Sequence, residues 1–222
     1  TEWPDLEVYL TSVTEQWAVA TLSGPNAGKI LQDAGIDFDL SPAEFPFMSM
    51  KEGHISGLAA RIFRISFTGE LSYEINVAAR HGLALWTRLM AAGKAYGITP
   101  YGTEAMHVLR AEKGFIIVGQ ETDGSVTPHD LGMDWIVSKT KPDFIGKRAL
   151  ARHAMEYDDR KQLVGLLCSD PATVIPEGAH AVLDPNQPLP MKMLGQVTSS
   201  YFSPNCGRSI AMAMLKGGHA LK

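Results

Sequence analysis

The sequence predicts an α+β chain, an antiparallel sheet with flanking helices followed by a small β-barrel-like domain. Three observations carry that prediction. Two strand patterns near the middle are joined by a link too short for a crossover, so they pair antiparallel. Helical patterns interleave with strands but without strict βαβ alternation, which disfavours a doubly wound sheet. After about Tyr157 the texture changes to short apolar runs separated by Pro, Gly, Asp and Asn, the marks of a small all-β unit.

The elements follow in order. Glu7 to Thr14 and Trp17 to Ser23 are rich in strand formers and are separated only by Glu15 and Gln16, which suggests a hairpin. Gly24-Pro25 breaks the second strand, and Asn26 to Ala34 can start a helix. Ala60 to Phe67 reads as a strand with Phe63, Ile65 and Phe67 on one face. Leu71 to Val77 alternates more cleanly: Leu71, Tyr73, Ile75 and Val77 share one face, and Ser72, Glu74 and Asn76 the other. The link Thr68-Gly69-Glu70 makes the pair an antiparallel hairpin. Leu83, Trp86, Leu89 and Met90 recur at helical spacing, with Gly97 as the stop. Thr103 to Lys113, closed by Gly114, is a second such helix, and Gly146 to Glu156 a third. The polar stretch Glu156 to Lys161 reads as a linker. Beyond it Gln162 to Cys168, Gly195 to Phe202 and Ser209 to Leu215 read as strands. The domain division is therefore 1–157 and 162–222.

The 222 residues are 45% hydrophobic, enough for one large core or two smaller ones. A formal net charge of -4 gives no electrostatic reason to expect nucleic acid or an anionic membrane as partner. No apolar run approaches the roughly 20 residues of a spanning helix. The opening TEWPDLEVYL has no signal-peptide character. Cys168 and Cys206 are far apart and in no ligand spacing, as for two free thiols in a cytoplasmic protein.

Most candidate motifs fail on chemistry. Ser23 to Ile30 resembles a phosphate loop, but its first glycine is displaced and Ile30 replaces the hydroxyl residue that would hold magnesium. The histidines show no i, i+4 pair and no HExxH, so no metal site is expected. No GxSxG elbow occurs. His107 sits inside a helix, where a hydrogen-bonded structural role competes with catalysis. Glu74 is the more informative acid. It stands on the polar face of a good strand between Ser72 and Asn76. One reading is a solvated strand face. In the other, this face lines a pocket, and the carboxylate accepts two parallel N–H bonds from an aminopyrimidine edge. An aromatic on the hairpin's other strand, such as Phe67, can then contact the flat ring.

The run Arg64-Ile65-Ser66-Phe67-Thr68-Gly69-Glu70-Leu71-Ser72-Tyr73-Glu74-Ile75 resembles the RxxYTGExxxE signature of folate-dependent aminomethyltransferases, a family similar to the glycine-cleavage T-protein. Three further stretches agree in order. Leu109 to Gly114 resembles the LRxExG helix end, Thr127 to Trp135 the TPxExGLxW segment, and Asp143 to Lys147 the DFIGK segment. Within that superfamily, Tyr101 to Met106 and the Phe at position 67 look most like heterotetrameric sarcosine oxidase alpha subunits.

The resemblance implies an aminomethyltransferase-like folate-binding domain, incomplete at its N-terminus, followed by a small β domain, incomplete at its C-terminus. It implies a folate-binding role for Glu74, which matches the glutamate that holds the pterin, and for Phe67, which matches a tyrosine near the same ring but lacks its hydroxyl. The family's folate-contacting arginine falls at about Met106 and is not carried over. A family aspartate that assists methylene transfer belongs to a portion ahead of this chain, so no catalytic residue is expected here. The implied activity is one-carbon metabolism: sarcosine is oxidatively demethylated by the parent oxidoreductase, and tetrahydrofolate takes the one-carbon unit to give 5,10-methylenetetrahydrofolate. Flavin (FAD or FMN) and NAD would belong to other parts of the heterotetramer, with the other subunits as partners. Two alternatives stand beside this reading. One is a stand-alone aminomethyltransferase of glycine cleavage, and the other a non-catalytic folate-sensing or subunit-packing module.

Overall fold

A computed structural model describes residues 5–157 and 159–221. The chain divides between Tyr101 and Gly102 into two compact units. Asp158, in the stretch expected to be a linker, lies outside the described residues.

The first unit is built on four antiparallel strands: β1 (Trp17–Ser23), β2 (Met50–Ile55), β3 (Leu58–Phe63) and β4 (Ser72–Ala78), in the order β1-β4-β3-β2. The alternation foreseen in β4 is present: Tyr73, Ile75 and Val77 are buried. They form a core with Leu22, Ile62 and Phe45, closed by α1 (Ala27–Asp33) and α2 (Gly82–Gly93). In α2 the buried stripe is Leu85, Leu89 and Gly93 at i, i+4, i+8, whereas Leu83 is 79% exposed and Trp86 48%. Glycine is needed at 93, since a Cβ there would lie 2.5 Å from the Ile98 side chain. The stop at Gly97, with φ of +70°, is as expected.

Three expectations need correction. Glu7 to Thr14 is not a strand, and β1 pairs with β4 instead. Strand-forming residues make a strand only when a ladder partner is present, and Tyr9 and Leu10 stand over 90% exposed. The strand expected up to Phe67 ends at Phe63, so the link to β4 is the longer loop 64–71. Beyond Phe63 the backbone of Arg64 bonds to Ser49 and Met48 on the β2 side, not to β4. The third helix is cut to α4 (Lys147–Leu150) and a single 3-10 turn at His153–Met155.

The second unit carries α3 (Thr103–Glu112), α4 and a second antiparallel sheet. Its strands β5 (Lys161–Leu167), β6 (His180–Val182), β7 (Met193–Ser203) and β8 (Arg208–Lys216) run in the order β5-β8-β7-β6. The core of this sheet is Val164, Val197, Ala211, Ala213 and Leu215. Buried Thr198, Ser199, Ser200 and Ser203 make β7 unusually polar inside.

Candidate functional site

The β3–β4 ladder sets the geometry around Glu74. In an antiparallel pair, directly opposed residues share a face. Glu74 is opposed by Phe63 on β3 and by Thr21 on β1, and Phe63 by Met50 on β2. Met50, Phe63, Glu74 and Thr21 therefore form one row across all four strands, on the face opposite the buried Tyr73, Ile75 and Val77. Phe63 and Glu74 are half-buried, and Thr21 is exposed.

The Glu74 carboxylate makes no hydrogen bond or ion pair with any described residue. Its surroundings are otherwise paired. The Ser23 and Ser72 hydroxyls are 2.8 Å apart, and the Tyr101 hydroxyl donates to Ser23 at 3.4 Å. Arg61 is held by Glu52 at 2.8 Å, with its guanidinium 4.7 Å from the Trp17 ring centre. The nearest basic rung of the face is thus engaged, and Glu74 is left as an acceptor facing outward.

The signature residues around it divide into roles. Phe67 lies half-buried in the 64–71 loop and not on the ladder, so the aromatic directly across from Glu74 is Phe63. The sequence pattern carries the strand on to Phe67, four residues past the observed end of β3, and so does not single out Phe63; the ladder register is the signal that identifies it. Arg64 is structural: its guanidinium donates to the Phe45 carbonyl, while Met48 N–H bonds its own carbonyl at 2.9 Å. Tyr73 stacks on Phe45 with ring centres 6.1 Å apart, and burial pushes its phenol up. Gly69, at φ of +80°, supplies the left-handed residue of the loop. The Thr68 hydroxyl is buried and lacks a hydrogen-bond partner among the described residues.

The other two stretches with tertiary partners are clamps within the second unit. Fully buried Arg110 bonds Glu121 at 3.0 Å, Ser199 at 2.6 Å and the Phe115 carbonyl at 3.1 Å. Glu112 accepts from Ser203 and from Asn205, at 2.9 Å for the latter. Asp130 takes the Thr127 amide and hydroxyl, each at 2.8 Å, and two donors from Arg160. Burial pushes Asp130 up, but the Arg160 and Thr127 bonds outweigh it and hold the carboxyl below its ordinary range. A cavity of about 370 Å³ beside these clamps is lined by Gln120, Thr122, Asp123, Arg160, Lys161 and Gln196, among others. Arg160 is already committed to Asp130, and Glu121 to Arg110. Among the described residues no cluster of His, Cys, Asp or Glu can hold a metal ion, and Cys168 and Cys206 are free. No helix among the described residues is long and apolar enough to cross a membrane. His107 is half-buried on α3.

Comparison with known proteins places the whole chain in one family. Residues 1–141 match the GCVT N-terminal domain, and residues 161–222 the glycine cleavage T-protein C-terminal barrel domain. The chain is 50% identical to the sarcosine oxidase subunit alpha of Corynebacterium sp. (strain P-1), over 99% of this chain and 23% of that subunit. It is 43% identical to the Rhizobium meliloti subunit, over 97% of this chain and 22% of that one. To the aminomethyltransferase of Thermoanaerobacter sp. (strain X514) it is 33% identical, over 96% of this chain and 55% of the other. The glycine cleavage system aminomethyltransferase T from Bartonella henselae superposes with a TM-score of 0.72 at 28% identity, covering 90% of this chain and 52% of that one. The chain thus spans about a quarter of the sarcosine oxidase subunits and about half of the aminomethyltransferases. With both family domains matched in order and the fold shared, the chain belongs to the aminomethyltransferase family typified by the glycine cleavage T-protein.

Proposed function

We propose that this chain is the folate-binding region of a sarcosine oxidase alpha subunit, and that Glu74 holds the pterin of tetrahydrofolate. One observation carries the reading: a half-buried carboxylate with no partner among the described residues, on an open sheet face of a folate-family fold. Tetrahydrofolate supplies two amine nitrogens that take up the methylene of the imine formed from sarcosine, giving 5,10-methylenetetrahydrofolate and releasing glycine. The chain's own part is to bind and orient. An ionised Glu is an acceptor with two oxygens, matched to the paired N–H donors of an aminopyrimidine. Phe67, in the loop beside the hairpin, supplies apolar contact without a hydroxyl to relay a proton.

The higher identity to sarcosine oxidase alpha subunits than to aminomethyltransferases favours an oxidoreductase parent over a stand-alone transferase. On this reading FAD or FMN and NAD are held elsewhere in a cytoplasmic heterotetramer whose other subunits are the partners. The modules are 1–157 and 162–222, a division that the gap between the two matched family domains, 1–141 and 161–222, supports.

Calorimetric titration of the intact protein with folinic acid tests the site. Binding by the wild type that Glu74→Gln weakens at least about a hundredfold is expected, since charge-assisted hydrogen bonds to the carboxylate are lost. Equal binding by Glu74→Gln would remove Glu74 from the site.

A further inference from the structure

We infer that Phe63 forms the aromatic wall of the pterin site and sets its preference for a flat heteroaromatic ring. The inference rests on the assignment of Glu74 as the pterin acceptor. Phe63 and Glu74 are direct ladder partners, the last pair before β3 leaves β4. Opposed residues of an antiparallel pair have Cβ atoms about 4.5–5.5 Å apart on one face. No other aromatic among the described residues is a ladder partner of Glu74, whose β1 neighbour is Thr21.

That spacing suits the task. A planar ring whose polar edge is taken by the Glu74 carboxylate extends past it by about the distance to the next strand, roughly 4.8 Å away. The residue on that strand then meets the ring's face or edge. An aromatic there contributes contact that an aliphatic residue of like volume does not. Phe63 is half-buried, so its ring is partly anchored and partly presented. Its inward-facing neighbour Ile62 is fully buried, which fixes the direction of the strand under it. Met50, the next residue along the row, is 47% exposed and extends the apolar surface away from Glu74. The row thus runs apolar, apolar, acid, hydroxyl, a graded surface for a ring with one polar edge.

Folinic acid titrations of the intact protein test this with Phe63→Leu, Phe63→Tyr and Glu74→Gln, each checked for folding by its thermal melt. Phe63→Leu keeps an apolar side chain but loses the aromatic face, and Phe63→Tyr restores it. The expected result is binding about three- to tenfold weaker in Phe63→Leu and within about twofold of wild type in Phe63→Tyr. Wild-type affinity in Phe63→Leu, with binding lost in Glu74→Gln, overturns the role of Phe63 and leaves Glu74 standing. Equal losses in Phe63→Leu and Phe63→Tyr overturn it too, because packing and not the aromatic face would then matter. Undiminished binding in Glu74→Gln, or no binding by the wild type, removes the pterin site itself and Phe63 with it.

Discussion

At the scale of single residues, Glu74 and Arg110 are opposites. Glu74 keeps a carboxylate without a partner among the described residues on an open face, whereas Arg110 is fully enclosed and spends its guanidinium on Glu121, Ser199 and the Phe115 carbonyl. Both belong to stretches that resemble the family, so resemblance alone does not separate a ligand contact from a structural clamp. Burial and partners distinguish the two side chains. Removing one member of a buried pair strands the other charge, at a cost of about 3–5 kcal/mol. Arg110→Leu should therefore lower stability by about that amount in denaturant unfolding. Adding Glu121→Leu should restore part of it, because no uncompensated charge is then left buried. A double variant no more stable than Arg110→Leu would mean that the pair is not the clamp. Of the candidate site, Glu74 was legible as a residue with two possible roles, and its freedom from partners was not. That freedom depends on Arg61 being taken up by Glu52, on a strand that the local pattern did not suggest.

At the scale of elements, legibility followed how local the cause was. β4 was plain because alternation is intrinsic to a strand with one buried face, and α3 because Gly114 and Gly97 mark the stops on either side of it. β2 was not seen, since Lys51, Glu52 and Gly53 have low strand propensity and an edge strand tolerates them. The end of β3 was misplaced because Ile65 and Phe67 favour strand locally, while the pairing of Arg64 with Ser49 turns the chain away. In the second sheet one close approach is decisive. A Cβ at Gly195 would lie 1.8 Å from the Met214 carbonyl oxygen, so β7 and β8 can meet there only at glycine. Gly195→Ala should destabilise by more than about 4 kcal/mol or prevent the sheet from forming. Gly165→Ala in β5, where nothing lies within 4 Å, should be near neutral. Similar melting temperatures for the two variants would show that the close approach is not fixed.

At the scale of the whole molecule, the acidic chain depends on its carboxylates staying ionised. Asp37, Asp39, Asp123, Asp134 and Asp170 are held below the ordinary range chiefly by hydrogen bonds from His54, Ser41, Ser125, His129 and Thr173 respectively. Asp130 is held down as well, and its side chain is only 2% exposed. A carboxyl whose folded pKa is depressed contributes stability that is fully present above its unfolded value, about 3.9. That contribution is lost as pH falls through the folded value. The acid limb of stability should therefore steepen below about pH 4, in both compact units, because the affected residues lie in both. Screening by water makes the exposed members minor contributors, so Asp130, with Arg160 and Thr127 around it, should dominate. Asp130→Asn should melt well below wild type at pH 7, and the gap should narrow as pH falls below the unfolded carboxyl's value of about 3.9, where protonation begins to favour the unfolded wild type. A gap that stays constant across that range would mean that Asp130 acts through shape alone and that the acid limb has another source.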